Sequence, residues 1–185
     1  QKGSPGNLIH HTVHIGKVEV GGEDIAVIAG PCSVESQAQI MEAARVVKEA
    51  GGKALRGGVV KYRSSPYSGW EGIGSSSDEA LSNGLNLIVK AGREFDLPTV
   101  VEVLDPGDVS LYEDLGVDCL QIGEPNAKNQ ALLNRLRDTK LPVIHKRGNS
   151  LDMEAYLLWV ERVMAMGKEN VILCERGIMS ANKYT

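Results

Sequence analysis

The chain has 185 residues, a formal net charge of −4, and a composition that is 42% hydrophobic and 24% charged. That length suits one ordinary domain with a sizeable core and is short for two. An acidic whole excludes a global attraction to nucleic acid or anionic membrane, and no apolar run nears the roughly 20 residues of a bilayer crossing, so no partner of either kind is expected.

The first residues, Gln1 to Gly6, lack the charged-then-apolar layout of a secretory signal, and no initiator Met precedes them, which suggests a processed or trimmed chain. Residues 11–20, followed by Gly21-Gly22, read as a short hairpin able to plug one end of a barrel. The first strand is expected at 25–29. It runs into Gly30-Pro31-Cys32-Ser33-Val34-Glu35, and a Cys at a strand end is either a metal ligand or nucleophile or a small buried apolar residue. Residues 36–50 form an amphipathic helix with Ile40, Ala43, Ala44 and Val47 on one face, Ser33 or Ser36 as cap and Gly51-Gly52 as stop.

The second strand, 53–55 leading into 59–60, carries Arg56 and Lys61 on either side of Val59-Val60 and ends in Lys61-Tyr62-Arg63-Ser64-Ser65-Pro66-Tyr67-Ser68. Three cations among glycines and hydroxyls have the composition of a phosphate or carboxylate cradle. Trp70 follows in a Ser- and Gly-rich loop from which it could cover a site. A helix over 78–95 leads to a strand over 98–104 that contains Glu102, an otherwise costly carboxylate expected to pair with a neighbouring strand's cation in a structural or a catalytic role. Helix 106–115, strand 119–122 with Gly123-Glu124-Pro125-Asn126, helix 129–136 and strand 142–145 follow. His145 alternates in direction with Lys146, so it should face the helix layer and be structural. Helix 150–166, with a broad stripe of Leu157, Leu158, Val160, Val163 and Met164, precedes the last strand, 171–174, and its tip Cys174-Glu175-Arg176-Gly177.

Short strands apolar on both faces, alternating with helices, mean an α/β domain with a parallel sheet. No Gly-x-Gly-x-x-Gly opens a helix after the first strand, and charged residues recur past the C-terminal strand ends, as in (β/α)8 barrels. The expected division is an N-terminal segment and hairpin over 1–24 and a partial barrel over 25–185. Cations at the tips of strands two, five and six would converge on one mouth and form a site for a substrate with several negative charges. Cys32, Cys119 and Cys174 form no C-x-x-C pair and are odd in number, which points to free thiols in a reducing cytoplasm.

The ordered segments from Ile28-Ala29-Gly30-Pro31-Cys32-Ser33 through Leu55-Arg56-Gly57-Gly58, Lys61-x-Arg63-Ser64-Ser65-Pro66-Tyr67-Ser68, Glu102-Val103-Leu104-Asp105, Leu120-Gln121-Ile122-Gly123 and Lys146-Arg147-Gly148 to Cys174-Glu175-Arg176-Gly177 resemble class I 3-deoxy-D-arabino-heptulosonate 7-phosphate (DAHP) synthases, in the form similar to 3-deoxy-octulosonate 8-phosphate synthase. The resemblance runs from about Val13 to Ile178. It implies a (β/α)8 enzyme of the shikimate route that condenses phosphoenolpyruvate with erythrose 4-phosphate, with a divalent metal of the manganese, iron, cobalt or zinc class polarising the aldehyde. It also implies roles: Cys32 as a metal ligand; Arg56, Lys61, Lys146 and Arg176 on phosphoenolpyruvate; Arg63 and Ser64 on the sugar phosphate; Glu102 orienting a water; and Lys61 and Glu102 as the catalytic pair. The sequence departs from the family where Glu124-Pro125 replaces the usual Ala-Arg and Tyr62 the usual Pro. The family also continues, past the position of Ile178, through two further strands that carry a metal-binding His, Glu and Asp. The alternatives are a diverged homologue that binds anions or regulates, or a synthase using another aldose phosphate. Six strand–helix units leave two sheet edges open, so association into a homo-oligomer is expected.

Overall fold

The computed structural model describes residues 11–62, 65, 67 and 69–177. An antiparallel hairpin of β1 (Val13–Ile15) and β2 (Val18–Val20) opens the described chain. It turns through Gly16 at φ +54, in the left-handed region that glycine favours. Six strands then pair in parallel and in sequence order: β3 (Ile28–Ala29), β4 (Ala54–Arg56), β5 (Thr99–Glu102), β6 (Cys119–Ile122), β7 (Val143–Lys146) and β8 (Val171–Cys174). The helices between them are α1 (Gln37–Glu49), α2 (Asp78–Glu94), α3 (Val109–Asp114), α4 (Gln130–Arg135) and α5 (Met153–Ala165).

Period-two alternation divides each strand between two cores. Leu55, Val101, Leu120, Ile122 and Val143 point outward and join one cluster with residues from all five helices, such as Ile40, Leu85, Tyr112, Leu132 and Val163. Ala54, Val100, Cys119 and Ile144 point the other way and pack around Ile15 of the hairpin. A doubly wound sheet would carry helices on both faces and reverse its strand order at a switch point. Here all helices lie on one face, the order never reverses, and the hairpin fills the concave side. The sheet is therefore a curled arc of a (β/α) barrel, and the hairpin closes its N-terminal end as the sequence led us to expect.

Local chemistry sets the helix ends. Ser36 caps α1 by accepting from Gln39 N at 3.1 Å, while the Gln39 side chain accepts from Glu35 N and donates to Ser33 O. This reciprocal capping ties the Cys32–Ser33 turn to the helix it precedes. Ser77, Asn129 and Asp152 cap α2, α4 and α5 in the same way.

Two expectations need correction. The first strand is only Ile28–Ala29, because it lies at a sheet edge where Ile25 is 86% exposed and, among the described residues, has no strand beside it. The second ends at Arg56; Gly57-Gly58 leave the ladder, and Gly58 instead bridges Ser33. Lys61 therefore projects from a loop and not from a strand.

Candidate anion-binding site

At the C-terminal ends of the strands, the positions two residues beyond the inward-facing Ala54, Val100, Cys119, Ile144 and Ile172 are Arg56, Glu102, Gln121, Lys146 and Cys174. The same alternation that makes the concave core apolar below makes it polar at the mouth. Lys61 joins this ring from the loop. Its ammonium lies 3.5 Å from a Glu102 carboxylate oxygen, with the two side chains only 9% and 12% exposed, and donates to Cys32 O at 3.1 Å. The carboxylate in the third barrel strand has thus found the cation it was expected to need, although that cation arrives from a loop. The loop base is stitched by Lys61 N to Glu71 O at 2.7 Å and Gly74 N to Val59 O at 2.8 Å, so the position of Lys61 is set by backbone bonds.

Lys146 is half-buried, and burial pushes its ammonium below the usual lysine range. Arg56 pushes in the same direction, as does Arg176 more weakly, while Glu102 and Cys174 oppose them. The charges at the ends of β4, β5 and β8 therefore act on the ammonium carried by β7, a concentration of positive charge within an acidic chain. Backbone approach keeps the ring tight. A Cβ on Gly123 would sit 1.9 Å from a Glu102 oxygen, and one on Gly30 2.0 Å from Arg56 O. Glycine is required at both places for the carboxylate and the β4 tip to stand where they do.

Cys32 is exposed on the turn after β3. Among the described residues no group of three or more His, Cys, Asp or Glu side chains is arranged to hold a metal ion, so Cys32 supplies at most one donor of a set that these residues do not complete. Arg63 and Ser64 lie outside the described residues. Trp70 is 41% exposed on the β4–α2 loop. Cys119 is fully buried, and burial pushes its thiol up to about 12, which leaves it inert.

His145 faces the helix layer, as alternation requires. It is 1% exposed, its Nε2 lies 3.1 Å from Ala127 O, and its ring stacks on Tyr156 with centroids 5.5 Å apart. Burial lowers its pKa and keeps it neutral. Two tyrosines brace the strand tips from behind. The Tyr112 hydroxyl donates to Glu102 O at 3.1 Å. That of Tyr156 donates to His145 O and accepts from Cys174 N, so it joins β7 to β8. Both lie in helices, and nothing in a sequence shows where a hydroxyl will end.

A concavity of about 710 Å³ lies at the opposite end of the strands and includes Lys17, Lys48, Lys53 and Asp96 in its lining. Lys17 and Lys48 there both pair with Asp96.

The pattern of the DAHP synthetase I family matches residues 8–185. Phospho-2-dehydro-3-deoxyheptonate aldolase of Thermotoga maritima is 38% identical over 178 residues, which are 94% of this chain and 48% of that protein. 2-Dehydro-3-deoxyphosphooctonate aldolase of Koribacter versatilis is 29% identical over 168 residues, 86% of this chain and 57% of the relative. In three dimensions, the crystal structure of the Thermotoga maritima DAHP synthase superimposes with a TM-score of 0.81 at 35% identity, over 95% of this chain and 48% of that one. A truncated form from the same organism gives 0.77 at 32% identity, over 95% and 60% of the respective chains. The chain spans about half the length of the curated relatives it matches.

Proposed function

The chain belongs to the DAHP synthetase I family, and from that premise we propose that it serves the condensation of phosphoenolpyruvate with erythrose 4-phosphate to give DAHP and inorganic phosphate, the step that opens the shikimate route. The observation that carries this reading is the ring of Arg56, Lys61, Lys146 and Arg176 around the Glu102 carboxylate at the C-terminal mouth. Two phosphorylated anions must be brought together there, and fixed cations offset their repulsion before the reaction begins.

In the reaction, C3 of phosphoenolpyruvate bonds to the aldehyde carbon of the sugar, water adds at C2, and phosphate departs. Arg56, Lys61, Lys146 and Arg176 hold the carboxylate and phosphate of phosphoenolpyruvate. Arg63 and Ser64 take the sugar phosphate. Glu102, with Lys61 beside it, orients the water and accepts its proton as the C2–O bond forms. The family is generally metal-dependent, and a divalent ion would supply Lewis-acid polarisation of the aldehyde, with Cys32 as one thiolate donor. The described residues do not complete a site for it, and no step above is routed through it.

The accompanying proposals are a division near residue 24 between the hairpin segment and the barrel arc, a homo-oligomer, and a cytoplasmic home based on unpaired cysteines. Among the described residues no helix is long and apolar enough to cross a membrane. Glu124 favours a second reading, in which the mouth binds anions without turnover or accepts another aldose phosphate. It puts a carboxylate on the loop after β6, accepting from Asn149 N at 3.2 Å, where the family pattern has a cation.

The test is phosphate release from phosphoenolpyruvate with erythrose 4-phosphate and added manganese, alongside calorimetry of phosphoenolpyruvate binding. Turnover that Cys32→Ala abolishes supports the synthase. Binding without turnover supports the second reading, and failure to bind phosphoenolpyruvate at all sinks both.

A further inference from the structure

Lys146 and Arg147 are adjacent cations with opposite fates. Lys146 faces the mouth, whereas the side chain of Arg147 is only 4% exposed and all three of its nitrogens are engaged by groups of the protein. Nε of Arg147 donates to both Glu175 oxygens at 2.7 and 3.0 Å, Nη1 to Leu151 O at 2.5 Å, and Nη2 to Arg176 O at 2.7 Å. A Glu175 oxygen in turn accepts from Arg176 N at 2.8 Å. The two backbone polar groups of Arg176 are therefore both held by one ion pair, the carbonyl by Arg147 and the N–H by Glu175.

This matters because of where Arg176 stands. It lies just past β8, an edge strand of the sheet, and its own residue is exposed. Nothing on the far side of that strand restrains it among the described residues. A cation is useful in an anion site only if its backbone is fixed before the ligand arrives, since ordering it during binding costs affinity. The planar fork of an arginine can hold a carboxylate and two carbonyls at once, which an ammonium cannot do with the same geometry.

We propose that Arg147 is a positioning residue that, through Glu175, holds the backbone of Arg176 so that its side chain is ready at the mouth. The role rests on the reading of Arg176 as an anion ligand given above. It assigns the two neighbouring cations separate tasks: Lys146 meets the anion directly, and Arg147 meets it only through the next strand.

The experiment is a double-mutant cycle read by calorimetric binding of phosphoenolpyruvate, with inorganic phosphate as second probe. Arg147→Met is expected to weaken phosphoenolpyruvate by about tenfold when Arg176 is present and by less than about twofold in an Arg176→Gln background. Arg147→Lys keeps the charge and one bond to Glu175, and is expected to recover little. Glu175→Gln alters a side chain that is 54% exposed and so spares the fold; it is expected to weaken binding in the same direction and to lose its effect equally in the Arg176→Gln background. Equal losses from Arg147→Met or Glu175→Gln in both backgrounds would overturn the positioning role while leaving the anion site intact, as would full recovery with Lys. Unchanged affinity in Arg176→Gln alone would overturn both the role and the reading on which it rests.

Discussion

At the residue scale, Lys146 gives the sharpest expectation. Burial and the nearby Arg56 lower its pKa in the free site, so the folded chain releases that proton at lower pH than the unfolded chain, whose lysine titrates near 10.5. A bound dianion reverses the effect, because it favours the charged ammonium. Between the free and bound pKa values, binding therefore takes up a proton, and affinity falls as pH rises through that window. Stability moves the other way. The unfolded state holds more protons than the folded one in the range between the lowered pKa and 10.5, so stability rises with pH there. Calorimetry of phosphoenolpyruvate in two buffers of different ionisation enthalpy, on the alkaline side but below the usual lysine range, should show proton uptake that Lys146→Met removes. The same substitution should lower affinity at least about tenfold while raising the melting midpoint by roughly 1 to 3 °C, the usual opposition between a binding site and stability. A proton uptake that persists in Lys146→Met would assign it to another group.

At the scale of elements, the β7–β8 pair and α5 are joined by one hydroxyl. Tyr156 is 2% exposed, donates to His145 O and accepts from Cys174 N, and burial pushes its own pKa up to about 12. Tyr156→Phe leaves a carbonyl and an N–H without that partner in a dry setting, so a loss of about 1 to 3 kcal/mol is expected in denaturant unfolding. Because the freed groups flank Lys146 and Glu175, phosphoenolpyruvate affinity should fall as well; a stability loss with unaltered binding would separate the brace from the site. The helices themselves were legible because periodicity and caps agree: Ser36, Ser77 and Asp152 each precede an apolar stripe and each caps its helix. Strand ends were less legible. Val59 looked like strand because it is apolar, yet its burial comes from packing against helices after the chain has left the ladder at Gly57-Gly58.

At the scale of the whole molecule, the arc presents two open edges among the described residues. On the β3 side Ile25 and Val27 are 86% and 51% exposed, and on the β8 side Leu173 and Leu158 are 50% and 59% exposed. Parallel strands are ordinarily covered, and unpaired edges with apolar flanks invite association. The 185-residue chain should therefore sediment as a dimer or larger species at tens of micromolar, and Leu158→Glu with Leu173→Lys should shift it toward monomer. A monodisperse monomer that unfolds cooperatively at that concentration would refute this.

The sequence by itself determined the layer architecture and the position of the polar mouth, because short strands apolar on both faces and the helical spacing between them leave few ways to bury these side chains. It also placed Arg56, Glu102, Lys146 and Arg176 at strand ends, since those positions follow from counting along each strand. Only the tertiary structure decided which charges are spent and which are free. Lys61 reaches Glu102 from a loop, Arg147 turns away to hold the backbone of Arg176, and Lys17 and Lys48 neutralise Asp96 at the other end. Such pairings join residues far apart along the chain, and their choice depends on distances that come into being only when the sheet curls.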